Sequence, residues 1–317
     1  MIIFLLRLFK FTTFNLNFKS YIYLYYKMCK FILYIFLFIL IGCSENNNDN
    51  NSSIINFGSD ETFDLITWNL EFFPKHNETI DYAKDFILDL NLDVIAMQEI
   101  SNQNAFTSLV NRLGNQWVGY RSDNSNYQEL SYIINTDNID ITNTPYTILD
   151  EYEYYFAYRA PYVLEINFQG TDYIIINVHF KCCGDGIIQL DYSDEEYRRE
   201  KASQYLKNYI DTNFSNRNVV ILGDFNDDIS ENNNNIFIDF INDYENYFFT
   251  DMYIAEGNSQ DWSFPSYPSH LDHILITNEL FVDSINTKTI KLDNYMVGGW
   301  QKYDNYISDH RPVGISL

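Results

Sequence analysis

Six short stretches of this chain place carboxylate, amide or imidazole side chains at the edge of an apolar run. The clearest is Val219-Val220-Ile221-Leu222-Gly223-Asp224-Phe225-Asn226. Its four consecutive apolar residues predict a strand buried on both faces. Side chains alternate along a strand, so Asp224 and Asn226 share one side and Phe225 takes the other. A carboxylate that only accepts and an amide that also donates suit a hard cation or a phosphate. Trp68-Asn69-Leu70-Glu71 sets Asn69 and Glu71 on one side of an earlier strand, and Met97-Gln98-Glu99 ends the next in a carboxylate. Asn177-Val178-His179 ends a third in an amide and an imidazole. Ser269-His270-Leu271-Asp272 opens a strand, and Ser308-Asp309-His310 precedes the last one. One polar strand end is an ordinary solvated turn; six of the same chemistry predict one rim.

The elements that must carry this rim follow from periodicity. Strands are expected at 63–69, 93–100, 117–120, 130–135, 161–168, 173–180, 219–222, 271–277, 285–290 and 311–317. Residues 161–168 and 173–180 flank Gln169-Gly170-Thr171-Asp172, a hairpin signal. Ile80, Ala83, Ile87 and Leu90 share one face of a helix over 79–90. Further helices are expected at 103–113, 236–241 and 193–213, the last opened by a Ser193/Glu196 capping box. Hairpins mixed with βαβ units imply an α/β (α+β) four-layer sandwich, two central mixed sheets flanked by helices.

The folded part is expected over residues 61–317, one domain by length. Residues 43–60 are Asn-rich and too polar to bury apolar surface, so they read as a tether. Residues 31–41 form an uncharged apolar run of signal-peptide length, shorter than a bilayer span. The run closes in Leu40-Ile41-Gly42-Cys43, which resembles a bacterial lipoprotein box. That resemblance makes residues 28–42 a signal peptide and implies cleavage before Cys43, a diacylglyceryl group on its sulfur, and an extracytoplasmic, membrane-anchored protein. Residues 1–27 are then basic, aromatic material upstream of a start at Met28. An uncleaved anchor helix is the alternative.

The chain carries 20 Lys+Arg against 44 Asp+Glu, a formal charge of −24. Five basic and no acidic residues precede Cys43, which leaves 15 minus 44, or −29, after it. Such a balance opposes tight nonspecific nucleic-acid binding, which relies on Lys and Arg at phosphates. It does not oppose an enzyme whose positive charge is a bound metal. Beyond Cys29 and Cys43 the cysteines are the adjacent pair Cys182 and Cys183. A strained vicinal disulfide, a thiolate metal site with His179, and an unpaired or intermolecular state all stay open.

In order, Trp68-Asn69, Gln98-Glu99, Arg159-Ala160-Pro161, Asn177-Val178-His179, Gly223-Asp224-Phe225-Asn226, the Asp272 strand and Ser308-Asp309-His310 resemble the markers of the endonuclease/exonuclease/phosphatase superfamily, from residue 63 to 317. The resemblance implies a monomeric, metal-dependent phosphodiesterase, a nuclease with DNA or RNA as substrate. Glu99 becomes the main ligand of Mg²⁺ or Mn²⁺, with Ca²⁺ as a further option, and Asn69 and Asp309 lie nearby. His310 becomes the general base, fixed by Asp272; Asp224 and Asn226 orient phosphate and water. His179 serves the leaving oxygen, and Glu129 of Tyr127-Gln128-Glu129 is its expected partner. Arg159 and Asn177 are expected at the substrate phosphate, although Arg159 fits an ion pair at a strand start equally well.

Other readings are blander. Glu71 fits a second metal ligand or a solvated side chain. His76 reads as loop surface, and His270 and His273 as packing. Trp262, Phe264 and Tyr267 line a base-stacking groove or fill the core. A sphingomyelinase-like lipid phosphodiesterase needs an exposed aromatic loop, for which Trp300 beside Gly298-Gly299 is the nearest stretch. A non-catalytic surface lipoprotein is the alternative of a different class.

Overall fold

A computed structural model of the protein describes residues 55, 57–123, 128–281 and 285–317. The proposed signal segment, Cys43 and Tyr127 lie outside the described residues. The strands are β1 (Asp64–Phe73), β2 (Val94–Ile100), β3 (Trp117–Arg121), β4 (Glu129–Asn135), β5 (Ile139–Thr147), β6 (Tyr162–Phe168), β7 (Thr171–His179), β8 (Val219–Asp224), β9 (Tyr247–Phe249), β10 (Asp272–Thr277), β11 (Asn286–Thr289) and β12 (Val313–Ser316). One sheet runs β11-β12-β1-β2-β4-β3 and the other β5-β6-β7-β8-β10-β9. Both are mixed: β1 pairs parallel with β2, and β7 parallel with β8. The main helices are α1 (Thr79–Leu90), α2 (Gln103–Leu113), α3 (Glu195–Asn213), α4 (Ile238–Asn242), α5 (Met252–Ala255) and α6 (Gly299–Tyr306). No described helix is long and apolar enough to cross a membrane.

Alternation sorts the apolar side chains into layers. Ile66, Trp68 and Leu70 of β1 join Ile87 of α1, Leu109 of α2 and Tyr303 of α6 on one outer face. Ile176 and Ile221 join Ala202 and Leu206 of α3 on the other. Leu65, Ala96, Leu164, Ile175, Leu222 and Ile274 fill the space between the sheets. Each fully buried Leu or Ile among them contributes roughly 1.5–3 kcal/mol relative to exposure. The four-layer sandwich is therefore present.

The inner face changes character at one end. Two residues beyond the apolar inner positions come Thr67, Gln98, Asn177, Asp224 and Asp272, all at most 1 % exposed. Buried polar groups need partners, and here they cross-link the sheets. Gln98 Nε2 donates to Thr67 Oγ1 (3.0 Å) and Asn177 Oδ1 (2.8 Å), while Asn177 Nδ2 donates to Met97 O (3.0 Å) and Ser131 O (3.1 Å).

The structure departs from the sequence reading in four places. β1 runs on to Phe73, but its pairing with β2 breaks between Asn69 and Phe73, and Glu71, Phe72 and Glu99 take positive φ of 37°, 54° and 62°. Simple alternation therefore fails for Glu71 and Glu99. The α3 cap is Asp194, whose side chain accepts from Tyr197 N at 2.8 Å. Ser193 instead bonds Asp191, and Glu196 accepts from Gly186 N at 2.6 Å. β5 was not expected, because its exposed face is polar and its partner β6 supplies the apolar contact. Finally, Ile55 and Phe57 are buried in the helix-covered face of the first sheet, so packing begins before residue 61.

Candidate active site

At the polar end of the inter-sheet layer lies a cavity of about 390 Å³. Glu99, Gln128, Arg159, His179, Cys182, Cys183, Asp224, Asn226, Phe264, Leu271, Asp309 and His310 line it. Cross-strand register builds it: Asp224 is level with His179 on β7 and with Asp272 on β10. Gly223 permits this closeness, since a Cβ there would meet Val178 O at 1.9 Å.

His310 and Asp272 form the tightest pair. His310 Nδ1 lies 2.7 Å from Asp272 Oδ2. A carboxylate accepts, so Nδ1 carries the hydrogen and Nε2 faces the cavity, 3.9 Å from both Asp224 Oδ2 and Asp309 Oδ1. His310 N donates to Ser308 Oγ (3.0 Å), whose hydroxyl donates to Asn69 O (2.7 Å). Burial alone would push His310 down, but Asp272, Asp224 and Asp309 outweigh it and hold the imidazole well above its ordinary pKa.

Asp224 sits at the centre. Its Oδ2 accepts from Asn69 Nδ2 (2.9 Å) and lies 3.4 Å from His179 Nε2; its Oδ1 accepts from Asn226 N (3.0 Å). Burial raises its pKa, and the nearby carboxylates of Asp272 and Glu99 raise it further against the opposing pull of His310. His179 is held well below its ordinary pKa by burial, then by the positive charges of Arg159 and His310, so its ring is neutral.

Glu99 and Asp309 are the more open carboxylates of the group. The bulge in β2 turns Glu99 so that its oxygens accept from Asn69 Nδ2 (3.3 Å) and Phe72 N (3.0 Å). Glu71, read as a metal ligand or a solvated side chain, is engaged otherwise: it pairs with Lys75 and accepts from Asp309 N (3.0 Å), which fixes the Asp309 backbone. The carboxylate oxygens of Glu99, Asp224 and Asp309 are the donor type a hard divalent cation takes. The carboxylate repulsion that lifts Asp224 is what such a cation would relieve, so the residues present fit one. Asn69 uses its amide as a donor to two carboxylates while its Oδ1 accepts from Glu71 N (2.9 Å); it clamps Glu99 and Asp224 together.

Two expected residues stand elsewhere. Asn177 is wholly buried and its amide is spent bridging the sheets, so it does not face the cavity. Glu129 does not bond His179: its Oε2 takes Ser122 Oγ (2.5 Å), and both Glu129 Oε1 and His179 Nδ1 have no hydrogen-bond partner. Arg159 is in the cavity wall, where Nε and Nη2 donate to His179 O (3.2 Å) and Phe180 O (3.0 Å), and Nη1 to Gln128 Oε1 (2.9 Å). Cys182 and Cys183 are free thiols.

The sequence reading missed a second buried cluster. Asp251 Oδ2 lies 2.9 Å from His270 Nε2 and 2.6 Å from His273 Nδ1. His273 Nε2 faces Asp227 O at 2.9 Å, an acceptor, so both of its nitrogens donate and the ring is an imidazolium. His270 Nδ1 accepts from Ser263 N (3.3 Å), and Ser263 Oγ accepts from Leu271 N (3.1 Å) and Asp272 N (3.2 Å). With every ring nitrogen engaged, this cluster is a brace behind Asp272. The alternation of His273 against Asp272 gave its orientation; nothing nearby in sequence pointed to Asp251.

The Endonuclease/Exonuclease/phosphatase family model matches residues 66–310. No curated sequence is significantly similar to the chain. Among solved structures, Danio rerio TDP2 complexed with a single-strand DNA product superposes with a TM-score of 0.59 at 13 % identity, covering 81 % of this chain and 99 % of that one. A Bacteroides vulgatus endonuclease/exonuclease/phosphatase gives 0.56 at 14 %, covering 81 % and 98 %. The human Nocturnin catalytic domain with a bound sulfate gives 0.54 at 14 %, covering 80 % and 93 %. At these identities the superpositions speak for the fold, whereas the family match spans Asn69, Glu99, His179, Asp224, Asp272 and His310. The chain therefore belongs to the Endonuclease/Exonuclease/phosphatase family and is a metal-dependent hydrolase of phosphoric ester bonds.

Proposed function

We propose that the protein is a magnesium- or manganese-dependent phosphodiesterase that cuts nucleic acid, acting outside the cytoplasm as a monomer anchored by a lipid on Cys43. The observation that carries the chemistry is the 2.7 Å His310–Asp272 bond, which directs His310 Nε2 into a cavity shared with Glu99, Asp309 and His179. His310 Nε2 takes the proton of the attacking water, and Asp272 holds the tautomer and stabilises the imidazolium. Asp224 and Asn226 orient the water and the phosphate. A bound cation, held by Glu99 with Asp309 and Asn69, would neutralise charge building on the phosphate oxygens. His179 is neutral and serves the departing oxygen as a hydrogen-bond donor at Nε2, while Arg159 contributes positive charge to the wall.

Nucleic acid is favoured by the cavity mouth. The Phe264 ring lies 4.8 Å from the His310 ring, and Tyr267, 78 % exposed, stacks on Phe264 at 6.3 Å and 19°. Such a pair is a platform for a base next to the scissile phosphate. The single-strand DNA product bound by the Danio rerio protein is consistent with this reading. The aromatic loop of a lipid phosphodiesterase finds no support at Trp300, whose ring stacks on Tyr303 at 5.6 Å and under Arg311 at 5.2 Å.

The purified protein should be tested on plasmid DNA, RNA, sphingomyelin, inositol phosphates and a generic bis-phosphodiester, with and without EDTA, beside His310→Ala. Turnover of nucleic acid that needs both metal and His310 is expected. Turnover surviving EDTA and His310→Ala would sink the mechanism, and no turnover with metal bound would favour a binding protein. Detergent partitioning of wild type against Cys43→Ala tests the anchor.

A further inference from the structure

We infer that Cys182 and Cys183 form an oxidisable dithiol site in the wall of the cavity, which disulfide oxidants close to a vicinal ring, and that the closed form slows the turnover proposed above. The slowing rests on the phosphodiesterase reading; the site itself does not.

Cys182 comes three residues after His179, the end of β7. Both thiols are exposed, both line the cavity, and their Sγ atoms are 2.9 Å apart. A disulfide bond is about 2.05 Å long, so closing the gap takes a movement of less than about 1 Å. Adjacent Cα atoms stand about 3.8 Å apart, below the usual disulfide separation of about 4.4–6.8 Å. The ring is therefore strained and easily reduced, the property of a labile rather than a structural disulfide. Cys183 Sγ donates to Cys182 Sγ, and Lys181 Nζ lies 3.7 Å from the same sulfur. The convergence of two donors marks Cys182 as the attacking sulfur and Cys183 as the resolving one.

The chemistry balances with a disulfide oxidant such as oxidised glutathione. Cys182 attacks one oxidant sulfur after losing its proton, the oxidant S–S bond breaks, and one thiol leaves. Cys183 then gives up its proton and attacks Cys182 Sγ, the mixed disulfide breaks, and the second thiol leaves. Two electrons and two protons pass to the oxidant.

The backbone here is tied to the site. Arg199, buried on α3, donates through Nη1 to Lys181 O (2.8 Å) and Cys183 O (2.6 Å) and through Nε to Asp227 Oδ2 (2.8 Å). Phe180 O accepts from Asn226 Nδ2 (3.2 Å) and Arg159 Nη2. Cys183 already has a left-handed φ of 74°. Ring closure alters the torsions of the Cys182–Cys183 link, whose carbonyl Arg199 holds, and so strains the segment that holds Asn226 and Arg159.

The test is peptide mapping by mass spectrometry after exposure to oxidised glutathione, with kinetics on the same samples. The 182–183 peptide should lose two hydrogens and carry no glutathione. In parallel kcat/KM should fall about tenfold or more, the scale of an ångström-sized misplacement, and recover with dithiothreitol. Cys182→Ser and Cys183→Ser should keep the reduced activity and lose the response, and Cys183→Ser should trap glutathione on Cys182. Stable glutathione on both cysteines of the wild type, or a ring with unchanged kinetics, would overturn the inference. The mass map reads the site irrespective of turnover, so an inactive reduced protein would fail the phosphodiesterase reading while ring formation still reports on the dithiol.

Discussion

His310 is the proposed general base, and its surroundings make a specific demand. His310→Ala removes the proton acceptor and should lower kcat by about 10²–10⁴-fold, the usual weight of general base catalysis. Thermal melting should show the fold intact. The imidazole is raised by Asp272, Asp224 and Asp309, so it keeps its proton at neutral pH unless that negative charge is offset. Activity should therefore rise with pH as His310 is freed, and the midpoint should move to lower pH as the divalent concentration increases. Profiles at two metal concentrations check this; identical midpoints would contradict it. Asn69, Glu99, His179, Asp224, Asn226, Asp272, Asp309 and His310 could be picked out in the sequence because each ends an apolar run. Asn177 looks the same in sequence, and depth separates it: two residues along β7 distinguish His179, facing the cavity, from Asn177, bridging two sheets.

At the scale of elements, strand ends and their irregularities aim the side chains. The run Val219–Leu222 was legible as a doubly buried strand, and the helix over 79–90 by its period. Bulges at Glu71 and Glu99 were not, because they arise from where β1 and β2 pair, which neither strand encodes alone. β5 was hidden for a related reason, its polar outer face. A Cβ at Gly223 on β8 would meet Val178 O on β7, so Gly223→Ala forces these strands apart beside His179 and Asp224. Overpacking of this kind costs about 1–3 kcal/mol, and activity should fall more than stability. Urea melts and kcat on one preparation compare the two.

Over the whole molecule, buried charge and net charge make separate predictions. Burial opposes ionisation of Asp251 and His273, but their mutual attraction prevails, so Asp251 lies below and His273 above its ordinary pKa. A depressed Asp contributes stability present above about 3.9 and lost as pH falls; a raised His contributes stability present below about 6.5 and lost as pH rises through its folded value. The pair therefore stabilises most between about pH 4 and 6.5, by those reference values. Asp251→Asn leaves a buried imidazolium unmatched, should cost about 3–5 kcal/mol, and should flatten both limbs of the melting profile. Separately, a chain of −24 repels the polyanionic substrate proposed for it, so moderate salt should lower KM by screening. A KM that rises steeply with salt would instead indicate tight phosphate contacts.

β12 lies inside its sheet, between β11 and β1, and Ser316 faces Asp64 across 252 positions of sequence. Just ahead of it, Tyr303 Oη accepts from Trp68 Nε1 (2.9 Å) and donates to His310 O (2.8 Å). The first and last strands thus close one ring of contacts, and non-local closure of this kind is slow and late in folding. Asn69 and His310 stand on the two sides of that closure, joined through Ser308, so the proposed site is complete only once the two ends of the domain have met. Loss of turnover and loss of tryptophan fluorescence order should share one denaturant midpoint, and a hydrolase made this way stays inert until its two ends have met.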